Sequence, residues 1–279
     1  MMKQSIPVIL GPTASGKTAY AIALARTMNA AIISADSRQV YAGMNIGTAK
    51  PKEAWADSPH DILTPDAIEG VPHYLLNITP IDTPYTLSHW LQDAKTVLSH
   101  LTQPVIIVGG TMLYIDALTE GYELPEIEPN EALRTELSAL PADKLYARVL
   151  AQDPDAQEFI EPHNTRRIIR ALEVMHATGK PFSSLRVKTS SEYPFHKIGL
   201  FDSWESLEAR VTSRAQSMIQ EGLMEERARL AEEYPDSPLL KTVNYVEDST
   251  EKMVQSNMRY AHRQMSWWKR KQDIYWICV

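Results

Sequence analysis

Apolar positions along the chain change their period several times, and each change marks an element. Ile6 to Leu10 is a short apolar run closed by glycine, and Thr18 to Met28 has the alanine, leucine and isoleucine of a buried helix. That order predicts strand, glycine-rich turn, helix. Ala31 to Ser34 reads as a second strand. Thr86 to Leu101 predicts an amphipathic helix, with Leu87, Trp90, Leu91, Ala94, Val97 and Leu98 on one face. Pro104 then introduces a buried-strand run, Val105 to Val108, followed by Gly109-Gly110 and a helix from Met112. Strands alternating with helices imply parallel crossovers.

The pattern shifts after Gly121. Between Leu124 and Ser184 no strand is convincing; short helices are expected at Asn130 to Ala139, Ala142 to Gln152 and Asn164 to Thr178, the last stopped by Gly179 and Pro181. Strand-like character returns at Phe195 to Phe201. Helices then fill Ser203 to Glu233 and Thr250 to Lys271, before a final strand at Ile274 to Val279. The expected fold is α/β, a P-loop NTPase-like parallel sheet covered by helices, with an inserted all-helical domain. Its parts are a first core segment at 1–120, the insertion at 121–190, and a second core segment at 191–279 with basic C-terminal helices. No repeat, low-complexity tract or heptad seam interrupts this.

The 279 residues suffice for a large domain carrying an insertion, and 44% hydrophobic with 23% charged residues excludes wholesale disorder. No apolar run nears the roughly 20 residues of a membrane span. The first residues lack a signal-peptide pattern, and a single cysteine, Cys278, excludes an intrachain disulfide and a cysteine-paired zinc site. A cytoplasmic protein is expected, with no membrane partner and nothing that calls for more than a monomer. The formal net charge of −7 argues against a nucleic-acid partner only as an average. Acids dominate Glu120 to Glu161, including Glu123, Glu126 and Glu128. Arg166, Arg167, Arg170, Lys180, Arg186 and Lys188 then face Glu173 alone, and Arg259 to Lys271 contains no acid. Local patches of that kind decide whether polyphosphate or RNA can dock.

Gly11-Pro12-Thr13-Ala14-Ser15-Gly16-Lys17-Thr18 satisfies the P-loop pattern between a strand and a helix. Gly11 and Gly16 let successive amides converge on one concavity, the helix adds its positive end, Lys17 reaches a terminal phosphate, and the Thr18 hydroxyl ligates Mg²⁺. A hydrolytic aspartate is missing, because the Val105 to Val108 strand ends in Gly109-Gly110-Thr111. This suits substrate binding, although a βα turn also needs glycine for its geometry. Asp36, after the second strand, stands at the same crevice and can ligate magnesium through water or take a proton; an Asp-Ser pair equally makes a cap. Ile46-Gly47-Thr48-Ala49-Lys50-Pro51 adds a further turn and lysine. Arg166 and Arg170 share a helix face, while the end helix interleaves Arg259, His262, Arg263, Lys269 and Arg270 with Tyr260, Trp267 and Trp268. Such groups can grip RNA and stack on bases, or form a solvated face with the tryptophans packed inside. Arg210 and Arg214 can close over a pyrophosphate or serve as surface ion-pair members.

The ordered series resembles the tRNA dimethylallyltransferase family. Its carriers are Gly11 to Thr18, Ser34-Ala-Asp-Ser37, Gly43 to Pro51, Gly109-Gly-Thr-Met-Leu-Tyr114, Asp153 to Ala156, Arg167 to Val174, Gly222 to Glu225 and Arg263 to Trp267. The resemblance implies transfer of a dimethylallyl group from dimethylallyl diphosphate to the exocyclic N6 amine of the adenosine 3′-adjacent to the anticodon, in tRNAs reading codons that begin with U. It implies that the P-loop holds the diphosphate with Mg²⁺, through Thr13, Lys17 and Thr18. Asp36 would accept the amine proton and Arg214 would neutralise the departing pyrophosphate. By the same resemblance Asp36, Ser37, Arg38, Gln39, Thr111, Arg134, Arg166 to Arg170, and Leu240 to Tyr245 (with Lys241, Asn244 and Tyr245) contact tRNA, and the insertion clamps the anticodon stem-loop. Departures from the family pattern fall at Glu161-Pro-His-Asn164, Asn244, Asn257-Met-Arg259 and His262, and are expected to bear on RNA rather than diphosphate. A P-loop small-molecule kinase and a non-catalytic RNA-binding module are the competing readings.

Overall fold

A computed structural model describes residues 5–122, 127, 130–185 and 191–279. Glu123, Leu124, Glu126, Glu128, Arg186 and Lys188 lie outside them. The chain separates into two compact units, Met1–Thr119 with Glu192–Val279, and Glu120–Ser191.

The first unit is a seven-stranded sheet. Its strands are β1 (Ile6–Leu10), β2 (Ala31–Ala35), β3 (Asp66–Ile68), β4 (Val71–Tyr74), β5 (Val105–Gly109), β6 (Phe195–Leu200) and β7 (Ile274–Ile277), in the spatial order β3-β4-β2-β5-β1-β6-β7. All neighbours are parallel except β3 and β4. This antiparallel pair sits at one edge of the expected parallel sheet. It is a hairpin whose turn, Glu69-Gly70, has φ of 49° and 78°, the double positive φ that matches strand twist. β1, β2 and β5 are buried on both faces, as continuous apolar runs require.

Around the sheet lie α1 (Lys17–Met28), α2 (Leu87–His100), α3 (Met112–Thr119), α7 (Trp204–Gln220), α8 (Leu223–Glu233) and α9 (Thr250–Trp268). Thr86 caps α2 by accepting from the His89 amide, while the His89 ring accepts from the Thr86 amide, so histidine fills the usual Glu/Gln place of the capping box. Trp90, on the buried face of α2, donates to the Ser34 carbonyl at 3.0 Å and stacks on Tyr114 at 4.6 Å. The helical stretch expected from Ser203 to Glu233 is broken at Gly222, whose φ of 100° admits glycine cheaply. α9 stops at Trp268, three residues before the expected end.

The second unit contains α4 (Glu131–Ser138), α5 (Ala142–Gln152) and α6 (Thr165–Thr178). Asn130 caps α4 and Asn164 caps α6, each accepting from the amide three residues on, and Gly179 closes α6 at φ 66°. Leu137, Leu145, Val149, Ile168, Leu172 and Met175 form its own core. Buried Asp153 accepts from both the amide and the hydroxyl of Ser183 at 2.7 Å, tying the segment after α6 back to the end of α5.

Candidate active site

The site grows from the turn between β1 and α1. Gly11 has φ 147°, and a Cβ there would lie 2.5 Å from the Leu200 carbonyl oxygen, so only glycine lets the loop pass β6. Ala14 at φ 62° and Gly16 at φ 85° complete the curl that aims backbone amides inward. Lys17 Nζ donates to the Pro12 carbonyl at 2.7 Å, lying back along the loop. Ser15 is buried with an unpartnered hydroxyl, a polar atom that an anion in the loop would satisfy.

Two helices from the far end of the chain complete the cradle. From α7, Arg214 donates to Thr13 Oγ1 at 2.8 Å and to Asn257 Oδ1 at 2.9 Å, while Arg210 Nε donates to the Ala14 carbonyl at 3.0 Å. Of the two earlier readings for these arginines, closure over the loop is the one the geometry supports. On α9, Gln264 accepts from the Thr13 amide at 2.8 Å and donates to the Gly110 carbonyl at 2.8 Å. The charges crowd one another. Burial and the neighbouring Arg214 push the Lys17 ammonium down to about 7, against the pull of Asp36. Burial brings Arg214 down to about 10, again opposed by Asp36. Such a site is short of negative charge.

Asp36 leaves the end of β2, and its Oδ1 accepts from the Arg38 amide at 2.8 Å and the Gln39 amide at 3.2 Å. That oxygen therefore closes the 37–40 turn and caps no helix, and among the described residues nothing donates to Oδ2. Thr111 Oγ1 accepts from the Ser37 amide at 2.9 Å, joining the loops after β2 and β5. The glycine pair serves close packing: a Cβ on Gly109 would sit 2.2 Å from the Ala35 carbonyl oxygen, and one on Gly110 would sit 2.6 Å from Gln264 Nε2. Thr13 to Thr18, Asp36, Gln39, Gly109, Gly110, Arg214, Tyr260 and Gln264 line one cavity of about 190 Å³. Its apolar end is walled by Ala21, Ile32, Ile68, Leu76 and Val108, where buried His73 keeps an unpartnered Nε2.

The remaining expected residues have definite places. Arg38 donates to Thr242 Oγ1 at 3.2 Å, and Lys241 is exposed at the end of a short turn. Asn244 and Tyr245 are buried, Tyr245 donating to Glu226 Oε1 at 2.7 Å and filling the space a Cβ on Gly47 would need. Glu226 also accepts from the Asn45, Ile46 and Gly47 amides at 2.8–3.0 Å, so a buried carboxylate organises the 45–47 turn. In the second unit Arg134 makes a forked pair with buried Glu173 at 2.7 and 3.1 Å, and Arg170 reaches Glu173 at 3.7 Å. Arg166 is exposed and Arg167 half-buried beside it. Trp268 is buried and Trp267 donates to Asp116 at 2.8 Å, so these tryptophans pack inward instead of meeting bases. The expectation that the change at Asn257 bears only on RNA is corrected by its contact with Arg214.

Gln264, Asn257 and Glu226 make contacts at this site that spacing along the chain does not reveal. For Asn257 and Gln264 the signal was present: Met253, Asn257, Ala261, Gln264, Met265 and Trp268 share the buried face of α9, where two amides interrupt an apolar stripe.

Comparison with known proteins gives these residues a setting. The IPP transferase family profile matches residues 39–271, and the isopentenyl transferase profile matches residues 4–62. The tRNA dimethylallyltransferase of a Synechocystis species is 37% identical, over 97% of this chain and 89% of that protein. The full-length tRNA isopentenylpyrophosphate transferase of Bacillus halodurans superposes with a TM-score of 0.69 at 30% identity, covering 99% of this chain and 90% of that one. A eukaryotic dimethylallyltransferase solved acting on tRNA shares the fold with a TM-score of 0.81 at 24% identity, over 99% of this chain and 74% of its own.

Proposed function

The chain belongs to the IPP transferase family, is a tRNA dimethylallyltransferase by that membership, and from this premise we propose how its site works. The donor is dimethylallyl diphosphate, with its diphosphate in the Gly11 to Thr18 loop. The acceptor is the exocyclic N6 amine of the adenosine 3′ of the anticodon, in tRNAs that read codons beginning with U. The amine nitrogen bonds to the first carbon of the donor as that carbon's bond to diphosphate oxygen breaks. The nitrogen then gives a proton to Asp36, and the products are N6-dimethylallyladenosine and diphosphate.

One observation carries this reading: a carboxylate and a cationic, amide-lined loop open onto one cavity that runs into an apolar end. An aromatic amine is a weak nucleophile, so a base held at the attacking atom lowers the barrier. Asp36 is suited to this because Oδ1 is engaged by its own loop, which fixes the direction of Oδ2. As diphosphate departs, negative charge builds on its oxygens, and Arg214, the loop amides and Lys17, once it turns from the Pro12 carbonyl, stabilise it. The adenine must leave its stack to reach the cavity, at a cost of a few kcal/mol.

Mg²⁺ fits the same place. Among the described residues no cluster of three or more His, Cys, Asp or Glu could hold a metal. The exposed Thr18 hydroxyl lines the cavity beside the loop, a hard oxygen donor of the kind this cation takes together with ligand oxygens and water. When bound, the ion would supply charge neutralisation to the diphosphate. Arg166, Arg167 and Lys241 would meet the tRNA backbone. A monomer in the cytoplasm is enough for this activity, and no helix of the described residues is long and apolar enough to cross a membrane.

The kinase alternative lacks support, since β5 ends in a glycine pair in contact with Ala35 and Gln264 and carries no acid. The test incubates the protein with unmodified tRNA and either dimethylallyl diphosphate or ATP. The expected outcome is N6-dimethylallyladenosine by mass, with diphosphate released and ATP untouched; ATP consumption without prenylated nucleoside would reverse it.

A further inference from the structure

Building on the reading that Arg214 neutralises the leaving diphosphate, we propose that Asn257 is the residue that positions Arg214, and that Asn244 extends this hold to the 45–47 turn. A guanidinium on a flexible stem has a direction only when its donors are taken up. Thr13 Oγ1 takes one bond, and it belongs to the loop that Arg214 must face. The other goes to Asn257 Oδ1 at 2.9 Å, across from α7 to α9.

Asn257 is only 4% exposed, so both ends of its amide need partners. Nδ2 donates to Asn244 Oδ1 at 2.6 Å and to the Met253 carbonyl at 2.9 Å. Since the Met253 carbonyl can only accept and Arg214 can only donate, the amide has one orientation that satisfies both. Asn244 repeats the logic. Its Nδ2 donates to the Gly47 carbonyl at 2.9 Å, its backbone amide donates to Glu247 Oε2 at 2.8 Å, and its backbone takes a positive φ of 71°. Gly47 in turn donates its amide to Glu226 at 3.0 Å. A continuous line of hydrogen bonds thus runs from half-buried Thr13 and Arg214 through buried Asn257, Asn244 and Gly47 to Glu226. Leu207, Val211 and Ala261 form an apolar contact between α7 and α9 apart from this polar line. The polar line ends on a side chain of the phosphate loop, which marks it as serving the site.

The test is a double-mutant cycle on the full-length protein with dimethylallyl diphosphate and unmodified tRNA. Asn257→Leu is expected to lower kcat/KM for the donor roughly 10- to 100-fold, as displacement of a charge-stabilising group does. KM for tRNA should stay within about twofold, and inhibition by added pyrophosphate should weaken alongside. On an Arg214→Ala background the same replacement should cost nothing further, because its effect passes through Arg214. Asn244→Gly accepts the positive φ without strain, so it removes the bridging amide and spares the backbone. It should give a smaller loss that vanishes on the Asn257→Leu background, and it remains informative if Asn257→Leu folds poorly. Equal losses with and without Arg214, or single variants within about twofold of the parent, would overturn the proposal. An Arg214→Ala protein as active as the parent would instead remove the role assigned to Arg214 itself.

Discussion

Burial and Arg214 hold the Lys17 ammonium down to about 7 against the pull of Asp36, so binding of a diphosphate there should be linked to protonation. A diphosphate prefers the ammonium form. Below pH 7 that form is already present, so binding moves no proton. Above pH 7 the neutral amine must first be charged, and affinity should fall by up to about tenfold per pH unit until the pKa of the complex is reached. Calorimetry of pyrophosphate binding at pH 8, in buffers of different ionisation enthalpy, should register close to one proton more taken up by the parent than by Lys17→Met, the ligand's own protons cancelling in the difference. For Asp36 the informative change is Asp36→Asn, since the amide oxygen can still accept from the Arg38 and Gln39 amides. Turnover should drop by about 10²–10⁴ while pyrophosphate affinity, read by the same calorimetry, stays close to the parent's. Retained turnover would take the base role from Asp36.

Among the elements, β5 and the Glu226-held turn leave little room for change. Gly109→Ala drives a methyl group into the Ala35 carbonyl and should destabilise the protein by about 1–3 kcal/mol, measured by urea unfolding. Glu226→Gln places an NH₂ group against backbone N–H donors at 45–47 and should cost about 1–3 kcal/mol by the same measurement. The strands and helices that carry the phosphate loop were legible to within a residue or two, because their apolar runs and caps are strong. The hairpin of β3 and β4 was not. Its strands are three and four residues long, one contains Pro72, and its turn is Glu69-Gly70 instead of the usual Asn-Gly. The phosphate loop and Asp36 were readable because their chemistry is local. Gln264, Asn257 and Glu226 act through contacts that only tertiary structure brings together, so spacing along the chain could not pair them with Thr13, Arg214 or Gly47.

For the whole molecule, net charge misleads. A chain of formal charge −7 must meet a polyanion through restricted basic areas, so its affinity for tRNA should fall steeply with salt. Arg166→Ala and Arg167→Ala should each weaken tRNA binding and reduce the log–log salt slope by about 0.7–0.9, as expected for one lost phosphate contact; filter binding across salt concentrations would show it, and unchanged slopes would move the RNA surface elsewhere. The order of strands carries a further implication. β1 lies between β5 and β6, and Thr13 bonds a residue 251 positions later in the chain. A nascent polypeptide therefore leaves the ribosome with its anion grip unassembled, and α9 must emerge before Thr13 can be clasped. A chain cut short anywhere upstream of Gln264 would keep the Gly11 to Thr18 loop yet lack the side chain that clasps its Thr13 amide.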